Sequence, residues 1–122
     1  MIVDDDPDIR ELMKIFLEGD GYHVDLAADG IDALEQLRAG SHPALILLDL
    51  MMPRMDGEQF MKEIRGTRFA QIPIVVISGH SAVRSKTREF EAASFLMKPV
   101  EFNELLKAVR RFAPARPHDE AA

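Results

Sequence analysis

The sequence predicts an α/β domain: a (βα)5, doubly wound, five-stranded parallel sheet in a three-layer α/β/α arrangement. Two observations carry that expectation. Apolar spacing alternates five times between a strand-like and a helix-like period along the 122 residues. Strands alternating with helices of this length imply parallel pairing through right-handed crossovers. The central strand candidates are also continuous apolar runs, the pattern of strands covered on both faces.

The elements follow in order. Ile2 and Val3 open a first strand that runs into Asp4, Asp5 and Asp6. Pro7 and Asp8 begin a helix in which Ile9, Leu12, Met13, Phe16 and Leu17 recur at helical spacing before Gly19 and Gly21. Asp6 reads as its N-cap, because Asp-Pro sets an acceptor ahead of a first-turn proline that has no N–H to satisfy. Residues 22–27 (YHVDLA) alternate as a strand, and Ile31, Leu34 and Leu37 mark a second helix closed by Gly40. Residues 44–48 (ALILL) are the first continuous apolar run and deliver Asp49 at their end. Asp56-Gly57 reads as a turn, and Phe60, Met61 and Ile64 as a short third helix before Gly66.

Residues 72–77 (IPIVVI) are the second buried run, with Pro73 near the start where a missing N–H is tolerated, and they lead into Ser78, Gly79 and His80. Over 81–93, Val83, Thr87 and Phe90 keep helical spacing among crowded charges, which predicts a fourth helix. Residues 94–97 (SFLM) make the last strand, entering Lys98-Pro99. Phe102, Leu105, Leu106, Val109 and Phe112 form the stripe of the last helix. The folded unit is therefore expected over 1–113, with 114–122, rich in Ala, Pro and polar residues, as a flexible tail or the start of a linker.

Composition bounds the function. The length suits one domain with a core that needs no staple. The absence of Cys rules out disulfides, thiolate metal sites and a cysteine nucleophile, and the four His show no ligand spacing for zinc. No apolar run approaches the roughly 20 residues of a membrane span, and no leader-like stretch precedes the acidic cluster, so a cytoplasmic protein without membrane association is expected. A net charge of −6 argues against nucleic-acid binding by this segment.

In open parallel α/β sheets, ligands bind outside the carboxyl ends of the strands, near a topological switch point. Those ends carry, in order, Asp4-Asp5-Asp6, Asp29 after a short loop, Asp49, Ser78 and Lys98. Carboxylates, a hydroxyl and an ammonium are the ingredients of phosphoryl chemistry. If Asp5 and Asp49 lie on neighbouring strands, their repulsion demands a cation. A hard divalent ion such as Mg²⁺ suits oxygen ligands from one or two carboxylates plus a phosphate. A carboxylate so placed is also a nucleophile toward phosphorus, with Lys98 binding one phosphate oxygen and Ser78 donating to another.

Four stretches together resemble the response-regulator receiver domain of two-component signalling: V-D-D-D-P-D at 3–8, L-L-D-L-M-M-P-R-M-D-G at 47–57, V-V-I-S-G-H at 75–80 and F-L-M-K-P-V at 95–100. They occur in the family's order and span essentially the whole chain. The resemblance implies a flavodoxin-like, CheY-like fold, with Asp49 as phosphoacceptor and Asp5 as a direct Mg²⁺ ligand. It further implies Asp4 as a ligand through water and Met51 completing the metal site with its backbone carbonyl. By the same resemblance Ser78 is the switch hydroxyl, Lys98 the phosphate-binding lysine, Phe95 the aromatic whose rotamer follows the switch, and Pro99 the residue after a cis bond. The donor would be a histidine kinase or phosphotransfer protein. The output would be altered binding of a downstream effector through the face made by the fourth helix, last strand and last helix. Dimerisation through the last helix stays open. Such a chain is a signalling module that catalyses its own phosphorylation and dephosphorylation, rather than an enzyme.

Three features depart from the family's pattern. Only three residues precede Asp4, so the first strand is expected to be short. The stretch between Ser78 and Lys98 is a residue or two short, with Glu91 where Gly is usual, and Phe95 has no hydroxyl, so it reports by packing alone.

Two other functions fit part of the pattern. A Mg²⁺-dependent aspartyl-phosphate phosphatase or phosphotransferase needs a second Asp two residues after the nucleophile, where Met51 stands, and a substrate cap for which no insertion exists. An interaction-only receiver-like module loses the acceptor or the lysine, and both are present. His80 reads as a loop side chain that modulates hydrolysis at most, and Met51, Met52 and Met55 as gap fillers rather than cofactor ligands.

Overall fold

The computed structural model describes residues 1–52, 54–79 and 92–113. Its elements are β1 (Ile2–Val3), α1 (Pro7–Gly19), β2 (Leu26–Ala27), α2 (Gly30–Arg38), β3 (Ile46–Asp49), α3 (Gly57–Ile64), a 3-10 turn (Arg68–Gln71), β4 (Ile74–Ser78), β5 (Ser94–Met97) and α4 (Phe102–Phe112). The strands form one parallel sheet in the order β2-β1-β3-β4-β5. The doubly wound α/β sheet expected from the periodicity is present. Strand order reverses at β1, which puts the switch point between β1 and β3.

Successive residues of a strand point to opposite faces, and here both faces are covered. On one face Leu47, Val75 and Ile77 pack with Met13 and Leu17 of α1 and Leu105 and Val109 of α4. On the other, Ile46, Leu48 and Val76 pack with Ala33, Leu34 and Leu37 of α2 and Phe60, Met61 and Ile64 of α3. That double burial is why β3 and β4 are apolar at every position before the last. Each strand then ends in a polar residue, Asp49 and Ser78, at the same end of the sheet.

Local chemistry sets the helix starts. Asp6 Oδ1 accepts from the N–H groups of Asp8 (2.9 Å) and Ile9 (3.3 Å), the expected cap of α1. Asp56 and Gly57, expected as a turn, instead open α3. Asp56 Oδ1 accepts from Gln59 N at 2.9 Å while Gln59 Oε1 accepts from Asp56 N at 3.1 Å, a reciprocal capping box. The 3-10 turn was not foreseen; Thr67 Oγ1 caps it by accepting from Phe69 N at 3.1 Å.

The strand expected over 22–27 shrinks to Leu26–Ala27. Its partner is β1, and β1 supplies only Ile2 and Val3 for pairing, so the alternating residues before Leu26 have no ladder to join. Likewise residues 44 and 45 precede the ladder of β3, and residues 72 and 73 that of β4. Of the helix expected over 81–93, residues 81–91 lie outside the described residues. Ala92 and Ala93 are not helical, and Ala93 N donates to Ile74 O at 2.9 Å on the way into β5. His80 and the tail 114–122 also lie outside the described residues. No helix among the described residues is long and apolar enough to cross a membrane.

Candidate functional site

Parallel pairing of β1 with β3 brings the carboxyl end of one beside that of the other. Asp4 follows β1 directly and Asp49 is the last residue of β3. One carboxylate oxygen from each of Asp4, Asp5 and Asp49 lies within 4.8 Å of the others. Asp4 and Asp49 are buried, 2 % and 3 % exposed, whereas Asp5 is exposed. Lys98 enters from just after β5, its Nζ 3.2 Å from Asp49 Oδ2 and 3.7 Å from Asp4 Oδ2. The ammonium thus stands between the two buried carboxylates and offsets their repulsion.

The electrostatics follow from this placement. Burial is the largest influence on Asp4 and holds its carboxyl above the ordinary range. The Asp6 N–H, donating to Oδ1 at 2.9 Å, and the Lys98 ammonium pull it back, while Asp49 and Asp5 add to the rise. For Lys98, partial burial works to lower the ammonium, but the attraction of Asp49 and then Asp4 outweighs it and holds the group above its ordinary value. Asp49 Oδ1 accepts from Met51 N at 3.1 Å, so the loop after β3 orients the same carboxylate that Lys98 contacts.

Ser78 ends β4 and is buried. Its carbonyl accepts from Lys98 N at 3.1 Å, which ties the base of the lysine to the end of β4, and the Lys98–Pro99 peptide bond is cis. Phe95 pairs in register with Val76, two residues before Ser78, and packs half-buried on the face covered by α2 and α3. The Met51 side chain is exposed.

A hard divalent cation fits the donor set. All three acidic groups offer oxygen, and among the described residues no imidazole joins them and they are the one such cluster. Asp4, Asp5 and Asp49 would hold the ion, and its charge would replace or supplement that of Lys98.

Sequence reasoning did not foresee three supports of this site. Arg10 Nη1 donates to the Asp4 carbonyl at 2.7 Å, binding α1 to the chain at the acidic cluster. Its signal is a basic residue one helical turn beyond the cap, which is too common to single out. Gly57 sits against β3: a Cβ there would come 2.8 Å from the Asp49 carbonyl oxygen and 2.9 Å from Leu50 Cα. Because both atoms are backbone, Gly57→Ala is expected to destabilise the fold by roughly 1–3 kcal/mol, the usual range for overpacking. Urea unfolding measures it, and a variant within about 0.5 kcal/mol of wild type, the scatter of harmless surface changes, would show that the contact yields freely. The third support, Arg54 against Asp29, fastens the loop after β3 to α2.

Known proteins share the sequence pattern and the fold. The chain is 35 % identical over 124 residues to the response regulator MprA of Mycobacterium tuberculosis, covering all of this chain and 53 % of that protein. It therefore spans about half the length of the curated relatives it matches. In three dimensions it resembles a response regulator from Chloroflexus aurantiacus, with a TM-score of 0.83, 32 % identity, and 91 % of this chain and 93 % of that one covered. It also resembles the receiver domain of a Pseudomonas aeruginosa sensor histidine kinase that carries a magnesium ion in its active-site cleft. There the TM-score is 0.82 and the identity 27 %, over 91 % of this chain and 93 % of that one. Residues 1–110 match the response regulator receiver domain family, and the chain belongs to it: a signalling receiver domain of two-component systems.

Proposed function

We propose that this chain accepts a phosphoryl group on Asp49 from the phosphohistidine of a histidine kinase or phosphotransfer protein. Mg²⁺ would be held by Asp5, Asp49, the Met51 backbone carbonyl and, through water, Asp4. The observation that carries the reading is the convergence of Asp4, Asp49 and Lys98 from the carboxyl ends of β1, β3 and β5. A structural ion pair needs one carboxylate for one ammonium, but here a surplus of buried negative charge surrounds a nucleophilic oxygen.

In the transfer, an Asp49 oxygen attacks phosphorus, a P–O bond forms as the P–N bond breaks, and the electron pair leaves on the imidazole nitrogen. Lys98, already 3.2 Å from Oδ2, moves its contact to a phosphoryl oxygen, and Ser78 donates to another. Magnesium supplies neutralisation of the charge on the transferring group. Movement of Ser78 toward the phosphoryl group frees room near Val76 on the face that Phe95 shares, and Phe95 turns inward. The face that includes β5 and α4 then changes partner, the part expected from a fourth helix lying outside the described residues, and a downstream effector in this polypeptide or another reads the change. Residues 1–113 act as the receiver unit. An exposed Met51 where a hydrolase would carry its second acid disfavours turnover of a separate substrate.

Intact-mass spectrometry after incubation with acetyl phosphate tests the reading. One phosphoryl adduct that requires Mg²⁺ and disappears with chelator is the expected result. A folded, Mg²⁺-binding protein that takes up no phosphoryl group from acetyl phosphate or from a phosphorylated histidine kinase would instead be an interaction-only module.

A further inference from the structure

The loop between β3 and α3 holds Met51 at its start and Arg54 and Met55 near its end. It is closed at the base by Gly57 N donating to Leu50 O at 3.1 Å. Its far side is fastened to the N-terminus of α2 at two points. Gly30 N donates to Met55 O at 3.1 Å, and Arg54 Nε donates to Asp29 Oδ2 at 2.6 Å. The approach is too close for a side chain at position 30, where a Cβ would come 2.9 Å from the Met55 carbonyl oxygen.

Asp29 is only 4 % exposed, and its two oxygens are divided between two tasks. Oδ1 caps α2 by accepting from Asp32 N at 2.9 Å, while Oδ2 takes the guanidinium. The bond from Arg54 is the leading reason that the Asp29 carboxyl lies below its ordinary range despite burial. Arg54 itself has a φ of 60°, the left-handed region that disfavours any side chain. The Arg54 side chain is mostly exposed, and among the described residues the ion pair with Asp29 is the contact that engages it.

Resting on the reading of Asp4, Asp5 and Asp49 as a metal site, we infer that the Asp29–Arg54 ion pair is a latch. It positions the β3–α3 loop, and with it the Met51 backbone, for the divalent cation. Both are positioning residues: neither is part of the acidic cluster, and they act through the loop that bonds to Asp49 Oδ1. Outer-shell partners of this kind change metal affinity by about 10–100-fold when removed.

The test is calorimetric titration of Mg²⁺ into wild type, Arg54→Gly, Asp29→Asn and the double variant, with metal-free urea unfolding to confirm that each folds. Glycine suits the left-handed backbone, so Arg54→Gly removes the guanidinium without adding strain, and Asn retains an oxygen for the α2 cap. Each single variant is expected to bind Mg²⁺ about tenfold more weakly, and the double variant no more weakly than either. Long-range electrostatics alone would give opposite signs, because losing a cation tightens Mg²⁺ binding and losing an anion weakens it. Tighter or unchanged binding by Arg54→Gly therefore overturns the latch, as does a double variant that loses the product of the two factors. At saturating Mg²⁺ the rate of phosphorylation by acetyl phosphate should return to the wild-type level. A lowered ceiling there would overturn the inference by assigning the pair to alignment of Asp49 itself. A wild type that binds no Mg²⁺ overturns the metal site, and the latch with it.

Discussion

Asp49→Asn is expected to fold as the wild type does and to take up no phosphoryl group from acetyl phosphate and Mg²⁺. The amide is isosteric and keeps an oxygen for the Met51 N–H that now bonds Oδ1 at 3.1 Å, so the end of β3 has no reason to move. What disappears is the proposed nucleophile, and the neighbours are poor substitutes. Asp4 is 2 % exposed, with Oδ1 engaged by Asp6 N and Oδ2 facing Lys98. Asp5 is exposed, and among the described residues the Lys98 contacts within 4 Å go to Asp49 and Asp4. Loss of the covalent step should be complete within the sensitivity of intact-mass spectrometry. A phosphoryl adduct of similar yield in the variant would move the acceptor to another residue and sink the assignment.

Lys98→Ala is expected to lower the stability of the metal-free protein and to make that stability depend strongly on Mg²⁺. With the ammonium gone, Asp4 and Asp49 lose the cation that contacts both of their carboxylates. Breaking a fully buried pair costs roughly 3–5 kcal/mol and an exposed one under about 1. The Lys98 side chain is 36 % exposed, so solvent screening places the cost between those limits, at about 1–3 kcal/mol. Saturating Mg²⁺ should recover most of it, because the ion stabilises the folded state in proportion to its binding there.

The pH dependence has a definite sign. Lys98 is held above its ordinary value of 10.5 in the folded state, so its contribution is fully present below about pH 10.5 and is lost as the pH rises through the folded value. The gap between wild type and Lys98→Ala in urea unfolding should therefore hold constant through neutral pH and close in strong alkali. Equal stability of the two proteins in chelator would mean that water already screens the carboxylates and that the ammonium is not their counter-charge. Phosphoryl-dependent partner switching should fail in the variant even with Mg²⁺ bound, because the contact proposed from Lys98 to the phosphoryl oxygen is missing.

The fold was legible because a doubly covered parallel sheet writes itself in local composition. The runs at 44–48 and 72–77 could be strands buried on both sides, and each ended in a polar residue at the expected edge. Lengths were less legible. The alternation over 22–27 is sound strand chemistry, yet a ladder needs a partner, and β1 offers two residues. Asp56-Gly57 looked like a turn because the same residues serve turns and helix starts; the capping box with Gln59 decides between them.

At the site, the sequence alone determined which chemical groups stand at the strand ends, because strand period and chain order place Asp4, Asp5, Asp49, Ser78 and Lys98 there whatever the packing detail. Tertiary structure decided how they share charge. Burial falls on Asp4 and Asp49 and not on Asp5, Lys98 rests on carboxylates, and Arg54 reaches back to Asp29 across 25 positions of sequence. Periodicity records which face a residue occupies, since that depends on its neighbours in the chain. Desolvation and ion pairing depend on distances between elements far apart in the chain, and those exist only once the sheet has closed.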